Sequence, residues 1–466
     1  MANLIRIQSN EKRGLAKMES VSRKLAEWVT KLDYKGIPAE FVEAARLDIL
    51  DMFGCGLFGS TRNWVRTVTT LEMEWGGKPE ATLWGYKTKI PCVNAVMANA
   101  HAVNAFEFDD TYNPTGIHPG ALVVTSAFAS AELVGGISGR ELISAVVAGH
   151  EVSARVRNGL GWSVLHGWNG TAICSTFGAA AASAKILGLN ENQTVDALGI
   201  AGPYVGGLLT YGFKAMAKRL VNARAAQGGI LAALLAQRGF TGYEDILESK
   251  QGGFCTAHSS DCKIENITQG IGQEYEMRKM ALKKYPVCTS FHAVLDAVSE
   301  LENEHNIDPA SVERVIVNTT SGALKNNVGI QYDNISSAQM SMQYSVAARM
   351  IDGTVGVDQF TETRVKSTDV KRMAQLVEIV VDPELERMGL DHRMAAKVDV
   401  VLKDGSRLES STVRSPKIMT TQDVFDKFMV LASVAVPERQ ARQLLDMVRA
   451  LEKQNDVSSL AALLSI

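Results

Sequence analysis

Apolar residues recur at helical spacing over most of the chain. Near the amino terminus, Val21, Leu25, Val29 and Leu32 fall on one face of a 3.6-residue repeat. The same spacing, or a run of small Ala-rich residues, predicts helices at 19–32, 39–58, 93–105, 121–133, 141–156, 178–187, 195–200, 214–237, 290–303, 338–351 and 369–375, and a helical tail over 420–466. The first half is therefore predicted to be nearly all α.

Alternating apolar and polar residues are concentrated between about 275 and 413. They predict strands at 312–320, 376–381, 396–402 and 407–413, with a shorter extended piece at 81–84. Asp404-Gly405 separates the last two strands, and Asp-Gly between alternating runs is a strong hairpin signal. This part of the chain is predicted to be α+β.

These patterns together predict a protein that is mainly α with an α+β part. Because 466 residues exceed what one simple core usually takes, more than one domain is expected. We expect a large all-helical domain built from both chain ends, 1–272 and 415–466. A smaller α+β lid domain, 273–414, would be inserted into it, with a cleft where the two meet.

Composition excludes several classes of protein. Hydrophobic residues make up 46% and charged residues 21%, as in an ordinary globular protein. The net charge of −3, without a basic run, argues against a nucleic-acid partner. The most apolar run, 121–137, contains polar residues and is shorter than the roughly 20 residues that span a bilayer, so no membrane partner is expected. The amino terminus lacks the apolar core of a secretory signal, which predicts a cytoplasmic protein.

Motifs for several chemistries are missing from the sequence. There is no G-x-G-x-x-G after a strand, no P-loop, no H-E-x-x-H and no G-x-S-x-G. These absences argue against nucleotide binding and against the common hydrolase mechanisms. The six cysteines lack a paired framework, so reduced thiols are expected rather than disulfides.

The polar connector 105–120 is the strongest candidate for an active site. It carries Glu107, Asp109, Asp110 and His118 between two apolar segments. Neighbouring aromatic residues predict a partly desolvated setting, in which the pKa values of acids shift. A histidine there can act as general acid or base near neutral pH. The alternative is an exposed acidic turn whose histidine is satisfied by a backbone carbonyl.

Four further segments carry acid, base or anion-binding groups. They contain His166 and Asn169 before a helix, Lys218 and Arg224 on a helix, Lys283 at the predicted domain junction, and Tyr332 in a polar loop. Each also has a plainer interpretation, as a solvated helix face, a surface lysine pair or a packing aromatic. The set has more cations and amide donors than nucleophiles, which suits proton transfer on an anionic small molecule. A metal held by Asp109, Asp110 and His118 ranks below this interpretation, because no histidine pair at ligand spacing supports it.

Several of these segments, taken together and in order, resemble the MmgE/PrpD family. They are Glu107-Phe-Asp-Asp-Thr with His118-Pro-Gly, Gly170-Thr with Phe177-Gly-Ala-Ala-Ala-Ala, Lys218-Arg-Leu, Gly239-Phe-Thr-Gly, and Lys283-Lys-Tyr-Pro with His292. The family includes 2-methylcitrate dehydratase, cis-aconitate decarboxylase and iminodisuccinate epimerase. The resemblance implies a helical domain plus an α+β domain, a homodimer, an active site between the domains, and no metal or organic cofactor.

The resemblance also implies roles for the candidate residues. His118 is expected to be the main acid/base, and the lysines to bind substrate carboxylates and stabilise an enolate-like intermediate. By position, the resemblance implies a pocket of Glu107, Thr111, His118, Lys218, Lys283 and Tyr332. With the residues that the patterns add, the expected catalytic residues are His118, Lys218, Tyr332 and Glu107, and the expected substrate-binding residues are Thr111, Asp110, Asn169, His166, Lys283 and Arg224.

Two positions depart from the pattern of the dehydratase and decarboxylase members. Asn169 stands where those members carry a histidine before Gly-Thr, and Val221 stands where a histidine commonly follows Lys-Arg-Leu. An asparagine cannot exchange protons near neutral pH. Either His166 takes the role, or one histidine suffices, or the reaction differs.

The sequence thus predicts a cofactor-independent enzyme acting on a small di- or tricarboxylate. Proton abstraction next to a carboxylate would be followed by dehydration. Epimerisation of a dicarboxylate such as iminodisuccinate ranks second, and decarboxylation of an acid like cis-aconitate third. A catalytically dead carboxylate-binding protein is the alternative from another class, and the two departures at Asn169 and Val221 motivate it.

Overall fold

A computed structural model describes residues 20–209, 215–389, 392–413 and 415–466. The helices are α1 (Val21–Lys31), α2 (Ala39–Ser60), α3 (Asn63–Trp75), α4 (Cys92–Val103), α5 (Gly120–Val134), α6 (Gly139–Gly159), α7 (Gly170–Ile186), α8 (Glu191–Tyr204), α9 (Ala217–Gln237), α10 (Phe254–His258), α11 (His292–Glu304), α12 (Ser321–Leu324), α13 (Ile335–Ala338), α14 (Met342–Asp352), α15 (Glu362–Lys366), α16 (Thr368–Gln375), α17 (Pro383–Glu386), α18 (Thr421–Ala432), α19 (Glu438–Arg449) and α20 (Ser458–Ala461). The strands are β1 (Ala81–Thr82), β2 (Lys89–Ile90), β3 (Thr111–Tyr112), β4 (Met280–Ala281), β5 (Val312–Thr319), β6 (Val377–Val381), β7 (Ala396–Leu402) and β8 (Arg407–Glu409). The protein is mainly α with α+β content, as predicted.

The helical part is organised around α7, which is buried over nearly its whole length. It packs against α5, α6 and α9. Small residues make this close packing possible: at Gly229 in α9, an added Cβ would lie 2.5 Å from the Cβ of Ala179 and 2.7 Å from the carbonyl oxygen of Thr176. A side chain there would therefore push the two helices apart.

The α+β part contains a four-stranded sheet in the order β6-β5-β7-β8. Strand β5 runs parallel to β6 and antiparallel to β7, and β7 pairs with β8 in the predicted hairpin. Gly405 in that hairpin turn has a φ of 88°, which a glycine adopts without strain. Helix α11 covers β7, and α14 lies between α11 and α16.

The end of the chain returns to the helical part. Helix α18 packs on α2, where the Cβ position of Gly54 lies 3.1 Å from the Phe428 ring. The buried ammonium of Lys427 lies 2.8 Å from a carboxylate oxygen of Asp51. It also donates to the carbonyl oxygens of Phe108, at 2.6 Å, and Lys283, at 3.0 Å. The predicted boundaries at 272 and 415, and the lid role of the inserted part, stay predictions.

Several predicted boundaries differ from the observed ones, and side-chain caps explain two of them. The helix predicted at 178–187 begins at Gly170, because Asn169 caps it. The helix predicted at 338–351 is instead α13 and α14, because the Ser341 hydroxyl caps a new start by accepting from the N–H of Tyr344. The predicted strand 407–413 ends at Glu409, after which Val413 makes only an isolated bridge.

Two of the predicted helices start outside the described residues. The first residue of the helix predicted at 19–32 and the start of the one predicted at 214–237 lie outside the described residues. Within the described ranges, no helix combines the length and apolarity needed to cross a membrane.

Candidate active site

A cavity of about 440 Å³ lies between the helical part and the α+β part. The helical part contributes the connector 105–120 and the first residues of α7 and α9. The α+β part contributes residues after β4, around α12 and before β7. The polar and charged lining residues are Asn104, Glu107, Thr111, Thr115, His118, Asn169, Thr171, Lys218, Asn222, Thr289, Ser290, Lys325, Asn326 and Arg393.

Backbone pairing fixes the connector over this cavity. Thr111 pairs with Ala281 and Tyr112 with Met280, in a small antiparallel ladder that the sequence did not predict. The ladder ties the connector to the segment that carries Lys283. The Thr111 hydroxyl is buried without a hydrogen-bond partner at the cavity wall.

Glu107 is the centre of a buried ionic cluster. Its carboxylate forms ion pairs with Lys218, Arg219 and Lys283, the last at 3.1 Å. Burial alone would raise the pKa of Glu107, but Lys218, Lys283 and Arg219 hold that pKa well below its ordinary value. One ionised carboxylate therefore faces three cations, and the cluster keeps a formal surplus of positive charge. Arg219 was not among the predicted site residues, although it directly follows Lys218.

The backbone of Glu107 is unusual as well. Its φ of 55° is left-handed, and no other non-glycine residue in the described part of the chain has a positive φ. Such a conformation costs about 1 kcal/mol or more for a residue with a Cβ and persists where the surroundings enforce it. Here the three cations hold the side chain in place, so the carboxylate position compensates for the backbone strain.

The hydrogen bonds of His118 define its tautomer. Its Nδ1 lies 2.6 Å from the carbonyl oxygen of Asp110, and its backbone N–H donates to the Thr171 hydroxyl at 3.0 Å. Because a carbonyl oxygen only accepts, Nδ1 carries the proton and Nε2 keeps a lone pair. Burial, followed by the charge of Lys283, lowers the pKa of His118. The imidazole is therefore neutral near pH 7 and can accept a proton from a molecule in the cavity.

The two lysines occupy different places. Lys218 lines the cavity, and burial together with the charge of Arg219 lowers its pKa to about 8. Lys283 is buried, with 1% exposure, and is not part of the cavity wall. Lys283 thus contacts Glu107 rather than the space a substrate would occupy.

Asn169 lines the cavity and caps α7. Its side-chain oxygen accepts a hydrogen bond from the N–H of Ala172 at 3.1 Å, and its own N–H donates to the carbonyl oxygen of Gly207 at 2.8 Å. His166 is exposed at the end of a 3₁₀ turn, Trp162–His166, and does not line the cavity. Val221 packs against the hydrophobic core.

Three other predicted site residues lie away from the cavity wall. Tyr332 packs edge-on against Tyr344 at 5.0 Å, and burial raises the pKa of Tyr332 to about 12. Arg224 is exposed and donates to Gln227. Asp110 is fully buried outside the cavity wall, and its carboxylate accepts from the N–H of Gly120.

A second cluster of buried polar side chains includes Asp110 of the connector. His150 Nε2 and a carboxylate oxygen of Asp48 are 2.8 Å apart. Asp48, His150 and Asp110 each offer a ligand atom, all within 4.8 Å of one another, and no other such group was found among the described residues. Asp109 instead accepts from the side-chain amide of Asn104 at 2.7 Å. The set considered from sequence, with Asp109 and His118, does not converge as metal ligands.

Arg393 is a further residue that was not predicted to lie at the site. It reaches the cavity from the α+β part, just before β7, and donates to the carbonyl oxygen of Asn113 at 2.6 Å. No local motif surrounds it in the sequence, so only the fold brings it to the site.

Comparison with known proteins agrees with this architecture. A cis-aconitate decarboxylase-like protein from Aspergillus oryzae is 27% identical, over 96% of this chain and 97% of its own length. Cis-aconitate decarboxylases from Aspergillus terreus and Homo sapiens are 26% and 25% identical, again over 96% of this chain and over 96% and 95% of their own lengths. Residues 23–266 match the MmgE/PrpD N-terminal domain and residues 285–453 match the MmgE/PrpD C-terminal domain. The chain therefore belongs to the MmgE/PrpD family.

Proposed function

We propose that this protein is an enzyme that acts on a small di- or tricarboxylate, beginning with removal of a proton from the carbon next to a carboxylate. The observation that carries the proposal is His118, a neutral imidazole whose Nε2 lone pair is available in a cavity with surplus positive charge. Similarity to cis-aconitate decarboxylases over almost the whole chain supports a carboxylate substrate.

The positive charge around the cavity favours a substrate with more than one carboxylate. Glu107 neutralises one of its three cationic partners, and Lys325 and Arg393 add charge at the wall. Glu107, Arg219 and Lys283 are buried, where charges act more strongly than they do in solvent. An acid with two or three carboxylates balances them better than a monocarboxylate does.

In the proposed reaction, His118 Nε2 takes the proton and the C–H electron pair moves into the carboxylate as an enediolate. Lys218 stabilises the negative charge that develops on oxygen. With a pKa of about 8, Lys218 is mostly protonated near pH 7 and can then protonate a departing β-hydroxyl group, which leaves as water. The enediolate electrons form the new C=C bond. Dehydration of the 2-methylcitrate type is our leading proposal.

Decarboxylation of an acid like cis-aconitate is the second candidate, favoured by the named activity of the relatives. Carbon dioxide would leave, and a protonated side chain would deliver a proton to carbon. Epimerisation of a dicarboxylate such as iminodisuccinate shares the first step and returns a proton from the opposite face. Epimerisation requires a second acid/base on the other side of the substrate from His118, and we propose Lys218 for that role.

The proposal extends to cofactor, assembly and location. Side chains supply both the proton transfer and the oxyanion stabilisation, so we expect activity to survive exhaustive chelation. The family resemblance leads us to propose a homodimer, which light scattering after gel filtration would test. The six cysteines are unpaired, which fits a cytoplasmic location.

The test is a panel of acids in heavy water, including 2-methylcitrate, cis-aconitate and iminodisuccinate, followed by NMR. Exchange of a C–H proton next to a carboxylate, with product formation from one acid, is the expected result. The product identifies dehydration, decarboxylation or epimerisation. Tight binding of an acid without exchange of any proton would overturn the enzymatic proposal and favour a carboxylate-binding protein.

A further inference from the structure

A second cavity, of about 700 Å³, adjoins the candidate active site. The two cavities share Thr115, Trp162, Arg393 and Met394 in their walls. Arg393 therefore stands at the junction, where a molecule in the active site can reach it.

Two arginines lie close to the indole of Trp162. The guanidinium carbon of Arg157 lies 5.4 Å from the ring centroid, and that of Arg393 lies 5.8 Å from it. Arg157 is 1% exposed, at the carboxyl end of α6. Burial lowers the pKa of each guanidinium, and the charge of Arg157 lowers the pKa of Arg393 further, as expected for two like charges held close together.

Neither arginine forms an ion pair with a carboxylate among the described residues. Arg157 donates to the carbonyl oxygens of Leu160 and Gly161, and Arg393 to that of Asn113. The carboxylate near Arg157 is Asp261, which already accepts from the Ser259 hydroxyl and three other donors, all on Trp162 and Ser163. Because buried charges in proteins are ordinarily paired, this site has an unmet preference for an anion.

Arg393 has donor atoms available for that anion. Its Nη2 donates to Asn113, whereas its Nε and Nη1 donate to no described residue. Neither of these two atoms is fully buried. They are therefore accessible, on a residue that lines both cavities. A planar guanidinium binds a carboxylate through two parallel hydrogen bonds, which gives direction as well as strength.

We propose that Arg393, with the charge of Arg157 behind it, is a subsite for a second carboxylate of the substrate, distant from the carbon that faces His118. This inference rests on the proposed function, because it uses the same cavity and substrate class. Arg393 comes from the α+β part, whereas His118 and Lys218 come from the helical part. A substrate with two separated carboxylates bridges both parts, and a monocarboxylate contacts only one.

Unreactive acids test the subsite without requiring turnover. Calorimetric titrations would compare butyrate, succinate and propane-1,2,3-tricarboxylate, which carry one, two and three carboxylates. The wild-type protein should bind succinate at least about tenfold more tightly than butyrate, as expected for one added charge-assisted pair. Arg393→Gln should abolish that preference while changing butyrate affinity less than about twofold.

Two further variants make the result specific. Arg387→Gln removes the same charge from an exposed position in the same part of the chain, outside both cavities, and should leave all affinities unchanged. Arg393→Lys keeps the positive charge but cannot form the two parallel hydrogen bonds, so it should retain part of the preference for succinate. The same variant tests the subsite if Arg393→Gln fails to fold.

Equal affinities for butyrate and succinate in the wild type, or an undiminished succinate preference in Arg393→Gln, would overturn the subsite. Selective succinate binding that depends on Arg393, with no acid turned over, would instead leave the subsite standing and overturn the proposed function.

Discussion

The main-chain carbonyl oxygen of Asp110 lies 2.6 Å from Nδ1 of His118. This contact fixes the imidazole tautomer, so that the lone pair is on Nε2. The alternative to a catalytic histidine was a histidine whose ring only forms a hydrogen bond with a backbone carbonyl of the connector. In the structure the two interpretations coincide, because the carbonyl uses one ring nitrogen and leaves the other for chemistry.

Replacing His118 with Gln should reduce turnover by about 10² to 10⁴-fold, the usual contribution of a general base. Glutamine keeps a polar side chain in the cavity but cannot take up a proton. Succinate affinity should stay within about twofold, because carboxylate binding is assigned to cations. His166→Gln is the matched control, since His166 is exposed outside the cavity. Full activity in His118→Gln, or loss of activity in His166→Gln alone, would reassign the base.

The dependence of kcat/KM on pH should be bell-shaped. His118 acts as a base only when neutral, so activity rises with pH through a pKa below the ordinary value of 6.5. Lys218 acts as an acid only when protonated, so activity falls above about pH 8. Lys218→Arg should lower turnover, because an arginine stays protonated and cannot deliver the proton, and the residual activity should lack the alkaline limb. An acid limb centred above 6.5 would contradict the lowered pKa of His118.

Glu107→Gln should destabilise the fold by about 3 to 5 kcal/mol, because it removes the carboxylate that pairs with the buried Arg219 and Lys283 and with the partly buried Lys218. Urea denaturation would measure the free energy of unfolding. Glu438→Gln is the control, since Glu438 pairs with Arg442 on an exposed helix face and such pairs contribute little. A loss no larger than that of the control would show that Glu107 is not the centre of the cluster.

The stability difference between the wild type and Glu107→Gln should itself depend on pH. The folded-state pKa of Glu107 is depressed, so its contribution is fully present above the ordinary pKa of 4.5 and is lost as pH falls through the folded value. Denaturation curves between pH 7 and pH 3 should therefore converge on the acid side. A constant difference across that range would contradict an ionised, paired Glu107.

Asn169→Ala should lower the free energy of unfolding by about 0.5 to 2 kcal/mol, because the cap of α7 is lost. Asn169→Ser should restore most of the stability, since serine caps helices well. Turnover, corrected for the folded fraction, should stay within about tenfold in both variants, because neither the asparagine nor its replacements exchange protons. A much larger loss of turnover in Asn169→Ser would assign Asn169 a direct role in the reaction.

The sequence predicted most helices and the β7–β8 hairpin because their signals are local. Apolar spacing marks a buried helix face, and Asp404-Gly405 marks a turn. Predicted helix boundaries differ from the observed ones at caps such as Asn169, because a single side-chain hydrogen bond can set the first residue of a helix.

The site was harder to predict because its partners are far apart in sequence. At 3.6 residues per turn, Arg224 and Lys218 lie on different faces of α9, and the residue that joins Lys218 at the cluster is Arg219. Arg393 lies in a segment without periodicity, about 280 residues from the carbonyl that it contacts. Only tertiary structure brings such residues together.

Lys427 gives the order of synthesis a consequence for the site. Its ammonium joins the connector at Phe108 to the segment at Lys283, yet it is made after both. On the ribosome, a nascent chain that has emerged only to the end of the α+β part can form the β3–β4 ladder, but it lacks the second link, made by Lys427, between the connector and the segment of Lys283. We therefore expect the site to reach its final state only after α18 has docked on α2.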